Sequence, residues 1–245
     1  MDRKSLEDNF FFEQFYWWFL GRRRILRNLI RKFFKGTRQS IALDVGCGTG
    51  IILNDLQEYA IPVGIDPSKI ALDFTKRRGH KNLFCGDVCR LPLKSETFDL
   101  IIIMGVLYHK GVESDEAAIR ELYRVLKKGG VVIIDEAAYN YLQSKHNLAV
   151  GGIRRYTRSQ LVNKCKKCNL EILKSSYWNV LMLPLYYLIV KLENHPFTKK
   201  KYSKLIKLPN FINNILKTYL YAEAFLLKYV NFPIGPSIVV VAKKK

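Results

Sequence analysis

A doubly wound α/β domain is the fold class this sequence predicts, and three observations predict it. Residues 41–50, IALDVGCGTG, combine an apolar run, an aspartate and glycines at alternate positions, the pattern of a buried strand that turns tightly into a helix. A second apolar run ends at Asp66, about 20 residues beyond that loop, where such folds place the acid that accepts from ribose hydroxyls. Further runs end at Asp87 and near Met104, and a fifth, GGVVIIDEA, follows a helical stretch closing in RVLKKGG. Strands and helices therefore alternate from residue 41 to residue 136.

The glycine loop is a place to hold a nucleoside. Gly46, Gly48 and Gly50 leave the backbone bare for close approach, and a helix opening near Ile51 aims free N–H groups into the same space. Alone, that fingerprint would serve a dinucleotide equally well. Taken in order, however, LDVGCGTG, GIDPS, GDV, FDLIIIMGVLYH and RVLKKGG resemble the class I S-adenosylmethionine-dependent methyltransferases across residues 41 to 136, and five blocks in sequence outweigh a lone loop. The resemblance implies a Rossmann-like seven-stranded sheet whose last strand inserts antiparallel beside the fifth, with S-adenosylmethionine as cofactor. It implies cofactor contacts at Asp44, opposing the ammonium of the methionine part, and at Gly46, Cys47, Gly48 and Gly50 of the loop. It adds Asp66 and Pro67 at the ribose, Asp87 and Val88 at the adenine, and Met104.

At 245 residues and 49% hydrophobic, the chain can bury one sizeable core. The formal net charge of +20 divides into +6 over residues 1–40, −2 over 41–140 and +16 over 141–245, so the excess lies outside the nucleoside-binding core. A basic periphery attracts nucleic acid, acidic lipid headgroups or phosphorylated substrates, or is simply a lysine-rich soluble surface. The expected organisation is an amphipathic helical cap at 1–40, a methyltransferase core at 41–178, a helical insertion at 179–235, and a last core strand with a basic tail at 236–245.

The first stretch is no signal peptide, because its apolar part precedes the basic part and Glu13 interrupts it. From Arg22 onward, Ile25, Leu26, Leu29, Ile30 and Phe33 recur at helical spacing among arginines and lysines. This amphipathic helix is expected to form a lid at the cofactor cleft with Trp17, Trp18 and Phe19, Trp18 touching substrate; lying on an anionic membrane is the other reading.

A sulfonium-activated methyl group leaves alignment as the enzyme's work, worth roughly 7 to 11 kcal/mol of barrier. A hydroxyl acceptor would also need a base. His109 in VLYHKGV follows the fourth strand and is the first candidate, with Tyr108 beside it, against the alternative of a histidine that only holds its loop. His80 lies in a basic turn and His195 in a loop. Beyond the fifth strand, EAAYNYLQSKHNLAVGGIRRYTRSQL resembles a branch of these enzymes that shares the Trp-Trp-Phe and triple-arginine start. Ser144, His146, Arg154, Arg155, Tyr156 and Thr157 match that branch, whereas Asn147 replaces its Asp and Gly152 its His. His146 joins the catalytic candidates, and Arg154, Arg155 and Tyr156 become a clamp for an anionic or carboxylate substrate, unless the arginines merely open a helix in solvent.

LEILKSSYWNV reads as a sixth strand and PSIVVVAKKK as the seventh, separated by about 55 residues, too many for a connection without structure of its own. Two helices are expected, near 181–192 and 211–229. The 16 uncharged residues from Ser175 to Val190 fall short of the roughly 20 that span a bilayer. Apolar helices with basic flanks suit a lipid-linked or hydrophobic acceptor, or a membrane surface, as well as ordinary packing. Proteins of this resemblance are associated with cell-surface glycan assembly and its lipid carriers. Among five cysteines, Cys85 with Cys89 and Cys165 with Cys168 would ligate zinc only if the fold joined the pairs; no metal is expected, and the setting is a reducing, cytoplasmic one, with the membrane periphery as an option. An RNA methyltransferase and a non-catalytic cofactor-binding scaffold are the alternatives, the first weakened because MGVLYH lacks the Asn-Pro-Pro-aromatic clamp of base-amine enzymes.

Overall fold

The computed structural model describes residues 3–195 and 207–245, leaving aside the side chain of His146. Seven strands, β1 (Ile41–Val45), β2 (Ile61–Asp66), β3 (Leu83–Cys85), β4 (Phe98–Met104), β5 (Leu126–Ala137), β6 (Leu170–Trp178) and β7 (Ser237–Lys244), form one sheet in the order β3-β2-β1-β4-β5-β7-β6. The first five run parallel, and β7 enters antiparallel between β5 and β6, Val131 facing Lys243 and Ala137 facing Ser237. The chain winds outward from β1 through β3, then returns to β4 on the other side. That reversal opens a crevice at the carboxyl ends of β1 and β4.

Around the sheet lie α1 (Arg3–Phe12), α2 (Trp17–Phe33), α3 (Ile51–Leu56), α4 (Lys69–Arg77), α5 (Asp115–Val125), α6 (Lys145–Ala149), α7 (Arg158–Lys167), α8 (Leu183–Asn194) and α9 (Asn210–Leu226). Ser68, Ser114 and Thr157 each accept from a backbone N–H at the start of α4, α5 and α7, and Thr157 with Gln160 completes a capping box. Because strand side chains alternate between faces, Leu43, Ile101, Ile103 and Ile134 pack toward α5 and α7, while Ala42, Leu100, Ile102 and Ile133 pack toward α2, α3 and α9.

The apolar stripe of α2, Ile25, Leu26, Leu29 and Ile30, is wholly buried on that second face. Trp17 and Trp18 in its first turn are only half-buried, and the stripe that suggested membrane contact is unavailable for it. The helix starts at Trp17 rather than at Arg22, since the all-apolar WWFL run hides its period. The insertion folds as α8 and α9, and α9 lies against α2, where a Cβ on Gly21 would sit 2.3 Å from Leu220 Cδ1. Asn28 Nδ2 also donates to Ala224 O at 2.8 Å. Among the described residues, no helix is long and apolar enough to cross a membrane.

Candidate active site

At the crevice, Gly46 and Gly48 take positive φ of 70° and 56°, and their missing side chains serve different ends. A Cβ on Gly46 would lie 2.4 Å from Val106 Cγ2, so the loop after β4 seats directly on the glycine turn; around Gly48 nothing but Gly46 O comes within 4 Å. Glu13, buried after α1, pairs with Arg78 at 2.5 Å and accepts from the Thr49 hydroxyl, tying the amino-terminal segment to the same turn.

Asp44, next to last in β1, has only 2% of its surface exposed, and its Oδ2 has no hydrogen-bond partner. Burial, reinforced by nearby Asp66, holds its carboxyl well above the usual range, with Arg22 pulling the other way. Asp66 accepts the Gly48 N–H at 3.0 Å on Oδ2 and the Ser68 N–H at 2.8 Å on Oδ1, which fixes the carboxylate and leaves lone pairs on both oxygens; burial raises its pKa. Asp87 occupies an exposed turn, accepting the Cys89 N–H at 2.8 Å, with Val88 buried beside it. Cys47 is buried, and desolvation pushes its thiol up, so it packs and does not react. Pro67 follows Asp66 directly, and Met104 ends β4 half-buried. An uncompensated buried carboxylate, open bare backbone and a braced acid at the next strand end fit an adenosyl group carrying a cationic amine and sulfonium.

Beyond Gly105 lies a cavity of about 380 Å³, walled by Trp17, Trp18 and Tyr108 on one side and by Met182, Leu185, Tyr186 and Ile189 of α8 and the turn before it on another. Its polar floor is Arg22, Asp135 and Glu136. Arg22 Nε meets Asp135 Oδ2 at 2.5 Å, and Trp178 Nε1 donates to Asp135 Oδ1 at 2.6 Å. Trp178 in turn stacks with Trp18 at 6.3 Å. Glu136 accepts the Val106 and Leu107 N–H groups on Oε1, at 3.0 and 2.8 Å, while Oε2 has no partner; burial pushes its pKa up to about 8. Burial, then the charge of Glu136, likewise raises the Tyr108 phenol.

Of the residues the sequence singled out, Tyr108, Arg155 and Trp18 line this cavity. Arg155 is held by the Ala138 carbonyl, Gln143, Asn147 and the Tyr186 hydroxyl, all at 2.8 to 3.0 Å. His109, Arg154 and Tyr156 do not line it, which corrects their expected roles. His109 accepts the Gly111 N–H at 3.0 Å on Nδ1 and packs on Gly151, where a Cβ would stand 2.4 Å from Nε2; burial lowers its pKa. Arg154 donates to the carbonyls of Leu107, His109, Val112 and Glu113, and the Tyr156 hydroxyl lies 2.9 Å from Asp115 Oδ2. All three order the loop between β4 and α5. His146 belongs to α6, but its side chain lies outside the described residues. Asn147 Oδ1 gathers the Ser144 hydroxyl at 2.7 Å together with Arg155, and a Cβ on Gly152 would sit 2.5 Å from Tyr108 Cε2, leaving no room there for a histidine.

Sequence reasoning missed Arg22, Asp135, Glu136 and Trp178. The acids were findable: adjacent carboxylates end the fifth strand, at the same sheet edge as Asp44 and Asp66. Among the described residues no three His, Cys, Asp or Glu side chains are grouped to hold a metal, and Cys165 and Cys168 are buried in the core.

Residues 43–134 match the family described as "Methyltransferase domain". A protein of Encephalitozoon cuniculi named as a methyltransferase is 34% identical over 121 residues, 47% of this chain and 55% of that protein. The tRNA U34 carboxymethyltransferase of Sulfurimonas denitrificans is 32% identical over 145 residues, 56% of this chain and 47% of the relative. The chain thus spans about half the length of these relatives. By fold, a chain in the complex of the Haloferax volcanii Trm112 methyltransferase activator with a methyltransferase aligns at a TM-score of 0.63, with 15% identity, over 98% of this chain and 95% of that one. The geranyl diphosphate C-methyltransferase of Streptomyces coelicolor, solved with S-adenosylhomocysteine, aligns at 0.57 with 14% identity over 89% of this chain and 78% of that one.

Proposed function

Because this chain belongs to the class I S-adenosylmethionine-dependent methyltransferases, we propose that it methylates a nucleophile on a predominantly apolar acceptor, small or lipid-linked, bound in the cavity beyond Gly105. The observation that carries the reading is that cavity: aromatic and aliphatic walls over a floor that includes Glu136, a buried carboxylate whose Oε2 has no partner. Asp44, the glycine turn, Asp66 and the Asp87–Val88 turn would hold the cofactor, which supplies an activated methyl group when bound. The protein's own part is placement and proton handling. Trp17 and Trp18 close the acceptor space and exclude water, and the Arg22–Asp135–Trp178 network keeps the floor rigid. Glu136 Oε2, once ionised, takes the proton of a hydroxyl or amine acceptor, with the Tyr108 ring as neighbour. A lipid-linked acceptor places the enzyme at the cytoplasmic face of an anionic membrane.

A second reading, methylation of tRNA, is favoured by the relatives' names and the charge of +20. Incubating the protein and labelled cofactor with cell extract, then separating solvent-extractable lipid, small molecules, RNA and protein, decides between them. Label in lipid or small apolar material supports the proposal; label in RNA overturns it in favour of the second reading. Cofactor binding by calorimetry with label in no fraction would leave a binding scaffold.

A further inference from the structure

The two helices of the insertion are apolar on more sides than the fold consumes. α9 buries Leu220 and Ala224 against the sheet layer, as does Leu227 just beyond it, yet on its opposite side Phe211, Ile215 and Leu226, with Tyr229 in the turn that follows, lie in solvent, Phe211 at 75% and Ile215 at 52% exposure. α8 does the same with Leu185, Leu188, Ile189 and Leu192, an i, i+3, i+4, i+7 stripe exposed between 41% and 59%. Single exposed leucines are ordinary; two continuous stripes are not.

We propose that these stripes dock the protein on an anionic lipid bilayer, lying in its interface, with the acceptor cavity opening at that surface. Three observations favour a bilayer. Among the described residues of 180–235, Lys191, Lys207, Lys217 and Lys228 stand against Glu193 and Glu223, and Glu223 is buried and accepts from the backbone N–H of Asn179 and Val180. The surface that carries the apolar stripes is therefore cationic, matching acidic headgroups. The helices are too short to cross the membrane, which leaves the interfacial position. Finally, Leu185 and Ile189 belong both to the α8 stripe and to the cavity wall, while Asn213 of α9 accepts the N–H of Trp17, the lid residue, at 2.9 Å. The apolar surface is thus continuous with the cavity, so an acceptor tail could pass from bilayer to site without crossing water. The inference rests on the apolar-acceptor reading for its purpose, but its test does not depend on turnover.

The test is flotation of the full chain with vesicles of phosphatidylcholine and phosphatidylglycerol, against phosphatidylcholine alone, using the parent, Leu188→Glu with Leu192→Glu on α8, and Phe211→Glu with Ile215→Glu on α9. None of the four positions lines the cavity, and all are solvent-exposed, so fold and cofactor affinity are expected to stay unchanged. The parent should float with the anionic vesicles and each double variant should partition about tenfold or more weakly. Failure of the parent to float, equal flotation of both variants, or a parent dimer in light scattering that the variants dissolve overturns the proposal. Flotation without label in the lipid fraction would keep the docking surface and remove the lipid acceptor.

Discussion

Glu136→Gln is the most informative substitution. The side chain is 2% exposed, its Oε1 accepts from two backbone N–H groups, and its Oε2 is unpaired. An ordinary glutamate ionises near 4.5, whereas burial holds this one to about 8. Between those values the folded protein keeps a proton that the unfolded chain has released, so stability falls as pH rises, and the loss is complete above about pH 8. At about 1.4 kcal/mol per pH unit, the gap corresponds to roughly 5 kcal/mol. Glutamine keeps the Oε1 acceptor and never ionises. Near pH 4.5 the variant should match the parent within about 1 kcal/mol, and above pH 8 it should be more stable by up to roughly 5 kcal/mol. Asp44 and Asp135 also titrate upward through burial, but both proteins carry them, so the difference isolates position 136. Urea unfolding from acid to alkaline pH at fixed ionic strength measures it. Parallel stability curves for the two proteins would refute the reasoning. Methyl transfer should fall about 10² to 10⁴-fold with cofactor affinity unchanged, and in the parent it should rise as Glu136 ionises.

Asp44→Asn should weaken cofactor binding about tenfold or more by calorimetry, while the unliganded protein melts no lower than the parent, because an unpaired buried carboxylate has gone. Arg154→Ala removes donors from four loop carbonyls and should cost about 1 to 3 kcal/mol in chemical unfolding without changing cofactor affinity. Gly152→His, which inserts a ring where Tyr108 stands, should cost about 1 to 3 kcal/mol and depress turnover more than cofactor affinity.

What could be read ahead of the structure followed strand ends. Asp44, Asp66 and Asp87 each close an apolar run, and their positions at one sheet edge follow from the alternation of strands and helices. The insertion's helices also emerged from composition, because 55 apolar and basic residues need their own structure. The loop after β5 was less legible. Arg154 and Arg155 are adjacent and chemically identical, yet one is spent on the β4–α5 loop and the other reaches the cavity; only the backbone path distinguishes them. His109 misled for the same reason, since sequence places it on the right loop without showing which way its ring turns.

The position of β7 bears on how the chain is made. Among the described residues β6 pairs with no strand but β7, and β5 also waits for β7 along one edge. A ribosome adding 5 to 20 residues per second needs roughly 3 to 12 seconds to get from Trp178 to Ser237. Throughout that interval the nascent protein carries two open sheet edges, the kind of surface chaperones capture. Release of truncated products ending before Ser237 should therefore yield aggregates rather than partly active enzyme, and synthesis rate through the insertion becomes a determinant of yield.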